Sequence, residues 1–187
     1  MSCGRKLRCL LLGSVLLTPG FRGEVNADVA TEAQIKAAYL YHILHFVDWP
    51  PGRGNLSTSP INICVLGEGG GNNALRALAS KTISKRPLMV SFIDETSSDY
   101  DCQLLFVRDI SYLRLSSLLR IIGRKGVLTV GDSADFANDG GMIGFVIING
   151  TVRIEINLAA VKNAGFQVSA KLLEVAVKII DQPDRNS

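Results

Sequence analysis

His42 and His45 are the chain's only histidines, and they stand three residues apart. Acid–base or metal chemistry would have to begin with them. At i and i+3 they supply two ligands, whereas zinc takes three or four protein ligands, and nothing nearby supplies a third. Ser133 lacks the Gly-x-Ser-x-Gly elbow that exposes a hydrolase nucleophile. No enzymatic activity and no metal are therefore expected, and the histidines read as solvated or partner-facing side chains.

The segment Gly67-Glu68-Gly69-Gly70-Gly71-Asn72-Asn73 follows a strand-like run and opens a helical pattern, a place where backbone amides can hold an anion. The Gly-x-Gly-x-x-Gly order fails at Asn72, and no Gly-Lys-Ser/Thr follows. It reads as a flexible connector, with a weak anion site as the alternative, and no cofactor is expected. Later, Arg153 and Glu155 alternate with Val152, Ile154 and Ile156. In a strand, that alternation puts Arg153, Glu155 and Asn157 on one face. The face is either solvated, with an Arg153–Glu155 ion pair, or a polar surface for a ligand or partner. Asn149-Gly150-Thr151 and Asn55-Leu56-Ser57 match glycosylation sequons, but turn chemistry explains the first and loop composition the second.

Around these residues the composition, 47% hydrophobic and 20% charged over 187 residues, is too apolar for disorder and sufficient for one domain with a full core. Residues 1–27 stand apart. Arg5, Lys6 and Arg8 precede an apolar run of about ten residues, too short for the roughly 20 that span a bilayer. The small-residue site Val25-Asn26-Ala27 follows. That order is a secretory signal peptide, cleaved near Ala27. Cleavage would remove four of the 20 basic residues (Arg5, Lys6, Arg8, Arg22) and one of the 17 acidic ones (Glu24), leaving equal numbers. A neutral domain without a basic run offers no footprint for nucleic acid.

Cleavage would also remove Cys3 and Cys9, leaving Cys64 and Cys102. In an oxidising compartment two cysteines suggest one disulfide, with two buried free thiols as the alternative.

The elements that must position these groups follow from periodicity. A helix is expected over residues 30–47, with Tyr39, Leu40, Ile43, Leu44, Phe46 and Val47 in one apolar arc and Tyr41, His42 and His45 on the other side. It must end near Asp48, because Trp49 precedes Pro50 and leaves the α region. Tyr41, His45 and Trp49 are candidates for partner binding, with Trp49 as a core plug under the turn the competing reading. Strands are expected at 61–66, 88–93, 104–107 and 127–130, and helices at 73–80 and 112–122. Runs at 142–148 and 151–156 flank Asn149-Gly150, a strong hairpin signal. A last helix after Ser169 would bury Leu172, Val175, Ala176, Ile179 and Ile180 and turn Lys171, Glu174 and Lys178 outward. The expected fold is a three-layer α/β sandwich on a mixed, largely parallel sheet with a C-terminal antiparallel hairpin. It would occupy residues 28–182, with a loose tail at 183–187.

The string Lys36-Ala37-Ala38-Tyr39-Leu40-Tyr41 through Phe46-Val47-Asp48-Trp49-Pro50-Pro51 resembles the opening of the YfiR/HmsC-like periplasmic family. Further matches follow in the family's order: Leu128-Thr129-Val130-Gly131-Asp132, Phe136-Ala137, Gly140-Gly141-Met142-Ile143, Val152-Arg153-Ile154-Glu155-Ile156-Asn157-Leu158 and Ser169-Ala170-Lys171-Leu172-Leu173. Cys64 and Cys102 sit where the family carries cysteine-bearing strands. The resemblance implies a non-catalytic protein that restrains an inner-membrane diguanylate cyclase by binding its periplasmic sensor domain, lowering cyclic-di-GMP signalling and biofilm formation. A small-molecule ligand and a homodimer are further candidate partnerships, and a periplasmic ligand binder without a cyclase partner is the rival reading. Residues 144–149 hold no cysteine, so control through a second bridge near the hairpin is not expected.

Overall fold

A computed structural model describes residues 30–51, 59–94, 100–123 and 125–181; the segment read as a signal peptide and the expected tail lie outside them. The first element of the described residues is helix α1 (Glu32–Phe46), started by a reciprocal cap in which Thr31 Oγ1 accepts from the Gln34 amide and Gln34 Oε1 from the Thr31 amide. It buries Ala37, Leu40, Ile43 and Leu44, and at Val47 the backbone turns extended, as the coming Trp49-Pro50 pair requires. In chain order there follow β1 (Val47–Asp48), β2 (Ile61–Leu66), α2 (Asn72–Arg76) with a 3-10 turn, β3 (Thr82–Ile83), β4 (Arg86–Ile93), β5 (Leu104–Val107), α3 (Tyr112–Ile122) and β6 (Leu128–Gly131). The chain continues through β7 (Ile143–Ile148), β8 (Thr151–Asn157), α4 (Leu158–Asn163), β9 (Gln167–Val168), α5 (Ala170–Glu174) and β10 (Ala176–Ile180).

Eight of the strands form one sheet in the order β10-β8-β7-β6-β5-β2-β4-β3, parallel except for the β7–β8 and β3–β4 pairs. The β7–β8 hairpin turns on Asn149 and Gly150, whose positive φ of 51° and 71° match the twist of the flanking strands. Short antiparallel pairing of β1 with β9 ties the exit of α1 to the loop after α4.

Alternation along the central strands feeds two cores. Ile63, Val65, Leu104 and Phe106 face α1, α2, α4 and α5, whereas Cys64, Leu66, Leu105 and Val107 face α3. The layers are therefore helix, sheet and helix, as expected. In the second core, the Phe136 ring occupies the space left by two glycines: a Cβ at Gly131 or Gly141 would lie 2.1 Å from it.

The last helix is shorter than its periodicity suggests. Ser169 does cap it, accepting from the Leu172 amide, and Leu172 is buried. After Glu174, however, the chain becomes β10 and pairs in parallel with β8. Val175, Val177, Ile179 and Ile180 are β-branched and suit a strand, and β8 has an open edge whose backbone groups need partners. Val175, at the end of α5, and Ile179, on this edge strand, were expected in the core and are about half exposed, at 50% and 46%.

Candidate functional site

From β2 the chain crosses first to β4 on one side and then to β5 on the other. The crevice beyond the carboxyl ends of β2 and β5 is thus the topological switch point, where open α/β sheets hold ligands. A cleft of about 470 Å³ opens there, between the start of α1, the glycine loop after β2, and the residues that follow β5 and β6.

Three charged side chains form its inner wall. Arg108, immediately after β5, is only 5% exposed. Its Nη2 donates to the Gly67 carbonyl at 2.8 Å, and its Nη1 is shared among the carbonyls of Gly69 and Gly70 and Asn72 Oδ1, at 3.1, 3.3 and 2.9 Å. Its Nε is buried without a hydrogen-bond partner. Burial lowers the Arg108 pKa, against the opposing charge of Asp132. Lys36 of α1 bonds Asp132 Oδ2 at 3.0 Å and Glu32 Oε1 at 2.6 Å.

The glycine loop differs from its expected role. Carbonyls, not amides, converge here, and they converge on a cation, so the loop is a tethered wrap around Arg108 instead of a free connector or an anion cradle. Glycine is required at its two ends. Gly67 has φ +91°, and a Cβ there would lie 2.2 Å from the Arg108 carbonyl oxygen; at Gly71, with φ +80°, it would lie 2.2 Å from Ala33 Cβ.

The residues singled out from the sequence sit elsewhere and do not converge. Tyr41 is half-buried against the α1 core and donates to the Thr82 carbonyl at 3.3 Å; the exposed His45 lies edge-on to it at 4.7 Å. Trp49 is half-buried and packs edge-on against Phe166 at 5.9 Å. Arg153, exposed, and Glu155, half-buried, alternate with core residues of β8 and so face away from α1, across the sheet from Tyr41 and His45. Asn157 is buried: its Oδ1 caps α4 at the Ala160 amide and its Nδ2 donates to the Ala137 carbonyl at 2.8 Å. Cys64 and Cys102 are joined as a disulfide that links β2 to the approach to β5, with Cα atoms 5.9 Å apart. Lys36 and Asp132 stood within the family-like strings without a role, and Arg108, a single arginine after a four-residue apolar run, carried no sequence signal.

The model of the YfiR/HmsC-like family matches residues 33–177. The chain belongs to the YfiR/HmsC-like family. That match takes in α1, the glycine loop, Arg108, Asp132, both bridged cysteines and the hairpin. A conserved domain protein from Vibrio cholerae O1 biovar El Tor is similar in structure, with a TM-score of 0.54, 9% identity and coverage of 80% of this chain and 60% of that one. An ABC domain from Streptococcus pneumoniae, solved in complex with L-Trp, matches with a TM-score of 0.49 and 13% identity over 64% of this chain and 55% of that one. The chain thus spans little more than half the length of these structures, and the likeness to the Vibrio protein concerns the α/β fold alone. No curated protein matches the chain. Among the described residues, no helix of this YfiR/HmsC-like chain is long and apolar enough to cross a membrane.

Proposed function

We propose that the protein is exported to the periplasm and acts there as a non-catalytic regulator, binding the periplasmic sensor domain of an inner-membrane diguanylate cyclase and holding the enzyme inactive. Membership of the YfiR/HmsC-like family over residues 33–177 carries this reading, because YfiR-type proteins restrain such cyclases from the periplasmic side. The N-terminal pattern of basic, apolar and cleavable segments supports export. The mechanism needs no chemistry. A domain that binds the inactive state of the sensor more tightly than the active one shifts the population toward the inactive state by its differential affinity. An event that changes the regulator's own conformation is then transmitted across the membrane as a change in cyclase output.

The test is deletion of the gene. Cyclic-di-GMP and biofilm mass should both rise, and the full chain should restore them whereas a version starting at Asp28 and retained in the cytoplasm should not. Unchanged cyclic-di-GMP in the deletion strain would overturn the reading and leave a periplasmic ligand binder without a cyclase partner.

A further inference from the structure

We infer that the outer edge of β4, over residues 89–93, is the contact by which two copies of this chain pair, strand against strand, about a two-fold axis at Ser91. β4 is the last strand but one of the sheet, and β3 covers only its start, through the pairs Thr82–Pro87 and Ile83–Arg86 and a bond from the Leu88 amide to the Lys81 carbonyl. There the cover ends, because the Lys81 amide turns to the Leu78 carbonyl of the 3-10 turn. The Leu88 bond fixes which groups are left open. Successive residues of an extended strand point their N–H and C=O to alternate sides, so Val90 and Phe92 share the direction of Leu88 and face away from β2. Among the described residues, nothing bonds their backbone groups on that side.

Composition sets this edge apart from the opposite one. β10 carries Lys178 at its centre and a register shift between Ala176 and Lys178, devices that keep foreign strands away. Residues 89–93 hold no charge, proline or bulge, and Met89 and Ser91 are exposed. Such an edge is a template for another strand. The sequence is also complementary to itself. With the axis at Ser91, Val90 of each copy meets Phe92 of the other as a hydrogen-bonded pair, and Met89 meets Ile93. Branched and aromatic side chains are then opposed, a favourable cross-strand combination, and no like charges meet. Antiparallel pairing also sets the acidic exit of each strand, Asp94 and Glu95, toward the basic entry of the other, Lys81, Lys85 and Arg86. The contact is small, so the dimer should be weak, with a dissociation constant on the order of 10–100 µM. It is independent of the cyclase reading; either can fail alone.

The test is sedimentation equilibrium of the mature protein up to about 1 mM, in which the mass should rise from one chain to two. Val90→Pro removes an outward amide that has no partner within the chain, and should raise the Kd about tenfold or more. Because proline can disturb β4 itself, Ser91→Lys is the second variant. It sets two ammonium groups face to face at the axis from an exposed position, and should raise the Kd severalfold with the melting temperature unchanged. Cross-linking reads the register. Met89 and Ile93 would face each other as a non-hydrogen-bonded pair with Cα atoms about 4.5 Å apart, within disulfide reach. A mixture of Met89→Cys and Ile93→Cys proteins should therefore form a covalent dimer on mild oxidation. Met89→Cys alone should not, because its two thiol positions would lie roughly 13 Å apart. A single-chain mass up to about 1 mM, an unchanged Kd in a folded Ser91→Lys protein, or cross-linking no greater in the mixture than with either protein alone would each overturn the proposal.

Discussion

Lys36 on the first helix and Asp132 at the end of β6 are 96 residues apart in sequence and 3.0 Å apart in space. The pair fastens α1 across the mouth of the parallel sheet and closes one side of the cleft. Burial alone would lower the Lys36 pKa, but its hydrogen bonds to Glu32 and Asp132, with their charges, raise it above the ordinary 10.5. The folded state therefore favours the charged amine. Its contribution to stability is complete below 10.5 and is lost as pH climbs through the raised value. Urea midpoints of the native protein and of Lys36→Met, compared over a pH series, should converge above that point. A constant difference up to the alkaline limit would show that the ion pair contributes nothing.

The disulfide between Cys64 and Cys102 closes a long loop between β2 and the segment that leads into its parallel neighbour β5. In the chain-entropy model a loop of this length is worth about 4 kcal/mol. The double variant Cys64→Ser/Cys102→Ser should unfold at lower denaturant by up to that amount, and non-reduced peptides from periplasmic protein should show one bridge. Two free thiols in the recovered protein would remove the claim.

Packing of Phe136 between Gly131 and Gly141 leaves no room for a methyl group. Gly131→Ala should cost about 1–3 kcal/mol, as overpacking does, unless the ring leaves its pocket. Gly144→Ala is the matched control, since its nearest contact would be 3.3 Å, to the Ala137 amide nitrogen. Equal denaturation curves for Gly131→Ala and the native protein would show that the ring is not confined.

Trp49 stacks edge-on against the buried Phe166, which favours the plug over the interface for this residue. Trp49→Ala should lose about 3 kcal/mol, the lower end for a large-to-small core change because the ring is only half-buried. Tyr41 packs partly against the α1 core and bonds the Thr82 carbonyl, so Tyr41→Ala should lower the melting temperature modestly, whereas His45→Ala, at an exposed position, should change it little. If that surface meets the cyclase, both should release it in cells. Normal repression by both variants sinks the interface.

Local chemistry alone determined much of this molecule. The six-residue strand at 61–66, the four-residue strand at 104–107, the Asn149-Gly150 turn and the halt of α1 before Pro50 depend on side-chain branching, a two-residue turn conformation and the pre-proline clash, none of which needs a distant partner. Residues 176–180 fit the helical period equally well, and only an open edge on β8 made them a strand. The cleft was legible in part: its glycine loop was visible as a possible anion site, but the orientation of its carbonyls depended on Arg108, 41 residues beyond Gly67. Arg108, Lys36 and Asp132 meet because the strand order reverses beside β2, and that order is set by the register of parallel strands and the packing of helices on both faces. No spacing along the chain encodes it, so the tertiary structure alone brought those three charges together.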